Sequence, residues 1–160
     1  STTAPTVGAI SFTGSALTAS GGGGAVIAGL GIDSSFNATA PLTVTNATGN
    51  GVSVSNVNAE AHFGAVTVSG AGGNGIDIGG NPGLVTFGTT NVTLGSGANT
   101  AGVNFSGTNG GVTFGTTTIG NVGANQTGID FSGSSTTADF GVTTITGNGD
   151  LTSRGIDLSS

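Results

Sequence analysis

Residues 101–119 read AGVNFSGTNGGVTFGTTTI, and residues 127–145 repeat the pattern as TGIDFSGSSTTADFGVTTI. In both stretches a Gly opens an apolar-polar-apolar triplet, and a Phe-Gly step follows twelve residues after that Gly. Because two markers keep a fixed offset, the chain is best analysed as internal repeats. The Gly recurs as Gly24, Gly51, Gly75, Gly102 and Gly128, and the Phe as Phe12, Phe36, Phe63, Phe87, Phe114 and Phe140.

The repeat predicts short strands that pair between successive units. Each unit of 24 to 27 residues contains three apolar-polar segments separated by turns rich in Gly and Asn. Alternation of period two places one side chain inward and the next outward. Such short strands are unstable alone, but stacked coils pair each strand with its equivalent and bury the apolar columns. We predict an all-β, right-handed parallel β-helix (a β-solenoid) of about six coils, with three short strands per coil.

The whole chain is predicted to be one domain, residues 1–160. Residues 1–9 are expected to form an N-terminal arm and residues 10–158 the coils. At ~4.8 Å per coil, the rod would be roughly 30 Å long. The six repeating Phe side chains are expected to stack inside it as one core ladder: Phe12, Phe36, Phe63, Phe87, Phe114 and Phe140.

Composition excludes several classes of protein. The 160 residues include 34 Gly, seven acidic residues and one basic residue, Arg154, with no Cys and a single His, His62. A disulfide scaffold and a structural zinc site are therefore excluded. Nucleic acid is not an expected partner, because binding it by counterion release needs several cations. No apolar run approaches the ~20 residues of a membrane helix, so membrane insertion is not expected either.

The motifs Gly-Ile-Asp-Phe-Ser-Gly and Phe-Gly-x-Thr-Thr-Ile resemble the coils of bacterial surface and secreted β-helix proteins. The resemblance is to autotransporter passengers and large filamentous adhesins, and it extends from about Ile10 to Ser160. It implies an extracellular or cell-surface bacterial protein. Its implications for activity are weaker, because such coils serve as stalks, adhesins and enzyme scaffolds.

A polar column is expected on the outside of the first strand. Its acidic members Asp77, Asp130 and Asp157 are weak candidates for Ca²⁺ ligands together with turn carbonyls. Asp130 and Asp157 would lie one strand spacing apart, close to the ~5–5.5 Å between the carboxylates of a retaining glycosidase. The alternative is a solvated face whose Asp side chains accept nearby backbone N–H groups, and we prefer it. No catalytic residue, resident metal or cofactor is predicted.

Three other patterns could carry a function. His62, with Glu60 nearby in sequence, could act as a general base only if a substrate groove were present. The period-two alternation predicts that His62 faces outward, in a column with Ser11, Ser35, Thr86, Thr113 and Asp139. A flat face of stacked Thr side chains could match an ice lattice, but the columns counted from each repeating Phe are interrupted. The residues four after Phe are Ala16, Ala40, Thr67, Asn91, Thr118 and Thr144, and those six after Phe are Thr18, Leu42, Ser69, Thr93, Gly120 and Thr146. The glycosylation pattern Asn-x-Ser/Thr occurs at Asn37, Asn46, Asn91, Asn104 and Asn125.

The two ends suggest a function. The chain is expected to enter the solenoid without a first strand and to leave after one, at residues 155–158. Unpaired strand edges are templates for pairing with another chain. We therefore expect a non-enzymatic structural or adhesive protein that stacks head to tail on copies of itself. The expected stacking residues are Ile10, Phe12, Leu17, Gly155, Ile156 and Leu158. The alternatives are a fragment of a larger surface adhesin, a carbohydrate-active or glycan-binding β-helix with surface glycans as partners, and an ice-binding solenoid.

Overall fold

The chain is a parallel β-solenoid of about six turns, with three strands in each coil. The computed structural model describes residues 8–14, 16–97 and 99–159, and for Thr108 its backbone alone. Within these residues there are nineteen strands and no helix, so the predicted all-β class and coil plan are confirmed. Most of the predicted arm, residues 1–9, lies outside the described residues, and Ala9 already belongs to the first strand.

Three parallel sheets form the sides of the rod. Sheet A contains β1 (Ala9–Phe12), β4 (Ser35–Ala38), β7 (Glu60–Phe63), β10 (Leu84–Phe87), β13 (Gly111–Phe114) and β17 (Ala138–Phe140). Sheet B contains β2 (Leu17–Ser20), β5 (Leu42–Thr45), β8 (Val66–Ala71), β11 (Thr90–Leu94), β14 (Thr117–Val122) and β18 (Thr143–Gly147). Sheet C contains β3 (Ala25–Ala28), β6 (Val52–Ser55), β9 (Ile76–Gly79), β12 (Ala101–Thr108), β15 (Thr127–Asp130) and β19 (Arg154–Asp157). The short β16 (Ser134–Ser135) pairs with the end of β12.

Alternating burial explains why these segments are strands. In β6, Val52 and Val54 are fully buried whereas Ser53 and Ser55 are partly exposed. The chain bends out of sheet B through residues of positive φ, such as Asn46 (φ 52°) and Gly70 (φ 68°). Asn and Gly are the residues that adopt this conformation most readily. The sequence thus combines strand alternation with positive-φ turn residues at the corners that follow sheets B and C.

The Gly at or next to the start of the first five sheet C strands is required by close packing between coils. A Cβ on Gly102 would lie 2.5 Å from Ile119 Cγ2 and 2.7 Å from the carbonyl oxygen of Gly128. A Cβ on Gly128 would meet Ile145 and the carbonyl oxygen of Gly155 in the same way. The repeat marker seen in the sequence is therefore a steric requirement of coil stacking.

The predicted single ladder of six Phe rings needs a correction. Phe63, Phe87, Phe114 and Phe140 are paired in register, and successive ring centroids are 4.7 Å apart. Phe36, however, pairs with Ile10 and Ala61, and Ala38 occupies the ladder position between Phe12 and Phe63. A β-strand offers two inward positions, two residues apart, and β4 places its Phe at the earlier one. Its ring still lies 6.0 Å from that of Phe12 and 5.0 Å from that of Phe63.

Candidate functional site

The outward column of sheet C has the register that the repeat indicated. Consecutive members are pairing partners in adjacent strands: Val26, Ser53, Asp77, Asn104, Asp130 and Asp157. Asn104 Nδ2 donates to Asp77 Oδ1 at 2.6 Å, and Asn74 Nδ2 donates to the same oxygen at 3.1 Å. Asp130 Oδ1 accepts the backbone N–H of Ser132 at 2.7 Å. These carboxylates therefore have donors from their own column and turns.

Asp157 and Arg154 form an ion pair at the end of this column. Arg154 NH1 lies 2.6 Å from Asp157 Oδ2, and the backbone N–H of Ser159 donates to Asp157 Oδ1 at 3.0 Å. Hydrogen bonds from the Ser159 backbone and hydroxyl, and then Arg154, lower the pKa of Asp157. Asp130 and Asp157 are adjacent like charges, which disfavour each other across a strand pair. The one Arg of the sequence lies at that point and offsets the repulsion.

The Ca²⁺ candidates are separated along the column. Asn104 lies between Asp77 and Asp130, and both oxygens of Asp157 have donors. Among residues 8–14, 16–97 and 99–159, no group of three or more His, Cys, Asp or Glu side chains is placed to hold a metal ion. A small depression of about 90 Å³ near Arg154 is lined by Asn and Thr side chains and Gln126. The arrangement is that of a partly buried polar face whose carboxylates are hydrogen-bonded to neighbouring side chains and turns.

His62 lies on the outer face of sheet A. Its Nε2 is 3.7 Å from Glu60 Oε2, and the two side chains are 46% and 64% exposed. The column containing His62 includes Asn37 and not Ser35, because Ser35 pairs with Glu60. This correction follows from the same two-residue shift that moves Phe36. The observed column is Ser11, Asn37, His62, Thr86, Thr113 and Asp139.

The outer face of sheet B carries two hydroxyl-rich columns, which counting from Phe did not find. The first is Thr18, Thr43, Thr67, Asn91, Thr118 and Thr144, and the second runs as Ser20, Thr45, Ser69, Thr93 and Gly120. Ala16 and Ala40 are not members, and Leu42 is buried in the core. The turns from sheet A to sheet B differ in length in the first coils, so a fixed offset from Phe fails there. The hydroxyl pattern is consequently more regular than the sequence suggested.

Two amide ladders inside the turns were also missed. Buried Asn81 donates from Nδ2 to Val54 O at 2.9 Å, and its Oδ1 accepts the backbone N–H of Val57 at 2.9 Å. Asn109 Oδ1 accepts the backbone N–H of Asn81 at 3.0 Å. In a second turn, Asn50 Oδ1 accepts the backbone N–H of Asn74. These side chains satisfy backbone groups that the turns leave unpaired. In the sequence, the only indication of these ladders is that Asn recurs in equivalent turns of successive coils.

The remaining aromatic residues form a second stack. Phe105 and Phe131 have centroids 4.5 Å apart, and Phe105 meets Phe114 edge to face at 6.4 Å. The glycosylation triplets are mostly accessible: Asn37, Asn46, Asn91 and Asn125 are exposed, whereas Asn104 is partly buried and bonded to Asp77.

The end faces of the rod carry the predicted stacking residues. Within the described residues, β1, β2 and β3 pair on one side only, and so do β17, β18 and β19. The first face has an apolar hollow of about 280 Å³ lined by Phe12, Leu17 and other apolar side chains. The last face exposes 56% of Ile156 and 73% of Leu158. Ile10 packs against the core, and a Cβ on Gly155 would have no neighbour within 4 Å.

Comparisons with protein-family models, with curated proteins and with solved structures find no match to this chain. No helix in the described part of the chain is long and apolar enough to cross a membrane.

Proposed function

We propose that this chain is a structural and adhesive β-solenoid of the bacterial cell surface or extracellular space, which polymerises by head-to-tail stacking of its end faces. The observation that carries the proposal is that each sheet has a strand with one unpaired edge at both ends of the described rod. Parallel strand edges pair with further strands by backbone hydrogen bonds, and the register would be specified by the inward side chains.

The columns would continue without a break across such a junction. In the register of the coils, Phe140 would pair with Phe12 of a second copy, because both belong to the Phe ladder column. Ile145 would pair with Ala19 in sheet B, and Ile156 with Ala25 in sheet C. The hollow of the first face would then receive the core side chains of the last coil. Apolar burial favours this arrangement at about 25 cal/mol per Å².

Charge and surface chemistry also support the proposal. Only eight of the 160 residues carry a formal charge, seven acidic and one basic. A stacked assembly places each outward residue beside its equivalent, so a sparsely charged chain meets little repulsion along the rod. The bacterial and extracellular assignment is supported by the motif resemblance to passenger and adhesin coils. Adhesion would then be a property of the long outer faces.

Gly155→Ala tests the stacking directly. In a single chain the added Cβ has open space, but in a stack it would meet the carbonyl oxygen of Gly24 of the second copy. The corresponding Cβ on Gly128 would lie 2.5 Å from the carbonyl oxygen of Gly155. In sedimentation velocity at rising concentration, we expect the wild type to polymerise and Gly155→Ala to remain monomeric with an unchanged circular dichroism spectrum.

Gly49→Ala is the matched control, because a Cβ at this interior turn also meets nothing within 4 Å. It should polymerise like the wild type. A wild-type chain that stays monomeric at high concentration would refute head-to-tail stacking, and would favour coils that pair within one longer surface protein. Polymerisation of Gly155→Ala at the wild-type concentration would refute the proposed register.

Ice binding is a second candidate, supported by the two in-register hydroxyl columns of sheet B. A flat strand face repeats its side chains at ~4.8 Å along the rod. If this face binds ice, the chain should produce thermal hysteresis, and Thr118→Tyr should abolish it by interrupting the flat face. Thr113→Tyr, on the outer face of sheet A, should leave it unchanged. Absence of hysteresis in the wild type would eliminate this candidate.

A further inference from the structure

The chain contains four Asn-Gly steps, which begin at Asn50, Asn74, Asn109 and Asn148. Such a step can deamidate without an enzyme. The backbone nitrogen of the Gly attacks the side-chain amide carbon of the Asn, and the absence of a Cβ on Gly leaves that approach open. Attack requires a nitrogen whose N–H is not held by an acceptor and an amide free to turn toward it. The four steps differ in whether the Gly N–H has an acceptor and in whether the Asn amide is bonded to a neighbouring coil or only within its own turn.

Three steps are held by bonds between coils. The N–H groups of Gly51, Gly75 and Gly110 donate to carbonyl oxygens of the neighbouring coils at 2.9, 2.9 and 2.6 Å. The amide oxygens that would have to turn also have partners: Asn50 Oδ1 and Asn74 Oδ1 each accept a backbone N–H of the next coil at 2.9 Å. The amide oxygen at the third step, that of Asn109, accepts the backbone N–H of Asn81. Deamidation at these steps requires local opening of the ladder.

The fourth step lies in the turn between β18 and β19, and its environment is different. Asn148, Gly149 and Asp150 are all exposed. Within the described residues, the N–H of Gly149 has no hydrogen-bond acceptor. The amide oxygen of Asn148 accepts the backbone N–H of Asp150 at 3.2 Å, a bond within the exposed turn that can break without any separation of coils.

We propose that Asn148 is a site of spontaneous deamidation in the folded chain. The Gly149 nitrogen gives up its proton and bonds to Cγ of Asn148, the bond from Cγ to Nδ2 breaks, and ammonia leaves. Water then opens the resulting succinimide to aspartate or isoaspartate. The net change is one water consumed and one ammonia released, without any redox partner. The product places a new carboxylate two residues from Asp150, whose own oxygen accepts the Thr152 N–H and hydroxyl at 2.9 and 2.7 Å.

Hydroxylamine provides the test, because it cleaves the chain at a succinimide. The folded chain is incubated at mildly alkaline pH and low concentration, where self-association does not enter, and its fragments are identified by mass spectrometry. We expect fragments 1–148 and 149–160 to appear at least ~10-fold faster than cleavage at the other three steps, since those require opening of coil hydrogen bonds. The same chain in urea should be cleaved at all four steps.

Asn148→Gln is the matched variant, because it retains an amide and lengthens the side chain so that the five-membered ring cannot form. It should remove the fast cleavage and leave the fold unchanged by circular dichroism. Equal cleavage rates at all four steps of the folded chain would overturn the proposal. So would slower cleavage at Asn148 than at any of the other three, or fast cleavage that persists in Asn148→Gln.

Discussion

Coil stacking in this chain depends on a Gly at or next to the start of the first five strands of sheet C, and Gly102→Ala tests that dependence. A Cβ at position 102 would lie 2.5 Å and 3.0 Å from Ile119 Cγ2 and Cδ1, and 2.7 Å from the carbonyl oxygen of Gly128. Ile119 is fully buried in the core cluster, so its side chain cannot move out into solvent. The carbonyl oxygen belongs to the backbone of the adjacent strand, and the clash can be relieved only by separating two coils.

The expected loss follows from these contacts. Overpacking a closely packed core destabilises a protein by about 1–3 kcal/mol. Because one of the contacts is with backbone, we expect Gly102→Ala to lose about 2–3 kcal/mol. Gly155→Ala makes the same change in the same column, but the new Cβ meets nothing within 4 Å. It should change the stability of the single chain by less than about 1 kcal/mol, with a slight gain because Ala restricts the unfolded chain.

Urea denaturation at low protein concentration, followed by circular dichroism, measures both variants against the wild type. Linear extrapolation gives the free energy of unfolding, and an unchanged slope shows that the same surface is exposed. A Gly102→Ala protein as stable as the wild type would refute the argument that close coil packing explains the Gly repeat. Equal losses in the two variants would show that the effect is one of local strand propensity.

Three further predictions concern the core, a buried hydroxyl and pH. Phe114→Ala should lose about 3–5 kcal/mol in urea denaturation, because this buried ring stacks at 4.7 Å on two others, whereas Phe12→Ala, at the 38% exposed end of the ladder, should lose less. Thr117→Val should stabilise the chain by about 1 kcal/mol, because the Thr117 hydroxyl is buried without a hydrogen-bond partner; Thr118→Val on the outer face should be neutral. The pKa of Asp157 is lowered in the folded chain, so its carboxylate stabilises the fold above the unfolded pKa, and this stability is lost as pH falls through the folded pKa. The wild type should therefore melt at a higher temperature than Asp157→Asn near neutral pH, and the two melting temperatures should converge in acid.

Each of these predictions has a contrary result. Equal losses for the two Phe variants would mean that ring stacking inside the rod is not what stabilises it. A destabilised Thr117→Val would indicate that the hydroxyl has a partner, such as water. If the difference in melting temperature between the wild type and Asp157→Asn grew toward low pH, it would contradict a lowered pKa of Asp157 in the folded chain.

Much of the architecture could be predicted because the repeat has a direct physical cause. The repeating Gly is present because the coils pack too closely there for a Cβ. The alternation of apolar and polar residues in strands such as β6 arises because successive side chains face the core and the solvent. The register of the first coils was harder to predict. Phe36 and Ala38 both occupy inward positions of β4, and either could have continued the ladder. Turn length decides between them, and a sequence pattern does not reveal it.

The same ambiguity hid features of the candidate surfaces. The first hydroxyl column of sheet B depends on the register that places Thr18 and Thr43 beside Thr67, and a fixed offset from Phe does not give that register. The buried amides of Asn81 and Asn109 depend on backbone groups 24 to 28 residues away. Nothing in a turn sequence distinguishes such an Asn from one that faces solvent. By contrast, the register of the outward column of sheet C, which contains Asp77, Asp130 and Asp157, could be predicted because each member lies two residues after a repeating Gly.

Electron microscopy of the purified chain at high concentration tests the central claim most directly. The account predicts unbranched filaments of uniform width, with strands across the axis and a repeat of ~4.8 Å along it. It also predicts that Gly155→Ala forms no filaments under the same conditions. Monodisperse single rods, roughly 30 Å long for about six coils, would contradict the proposal that this chain stacks on copies of itself.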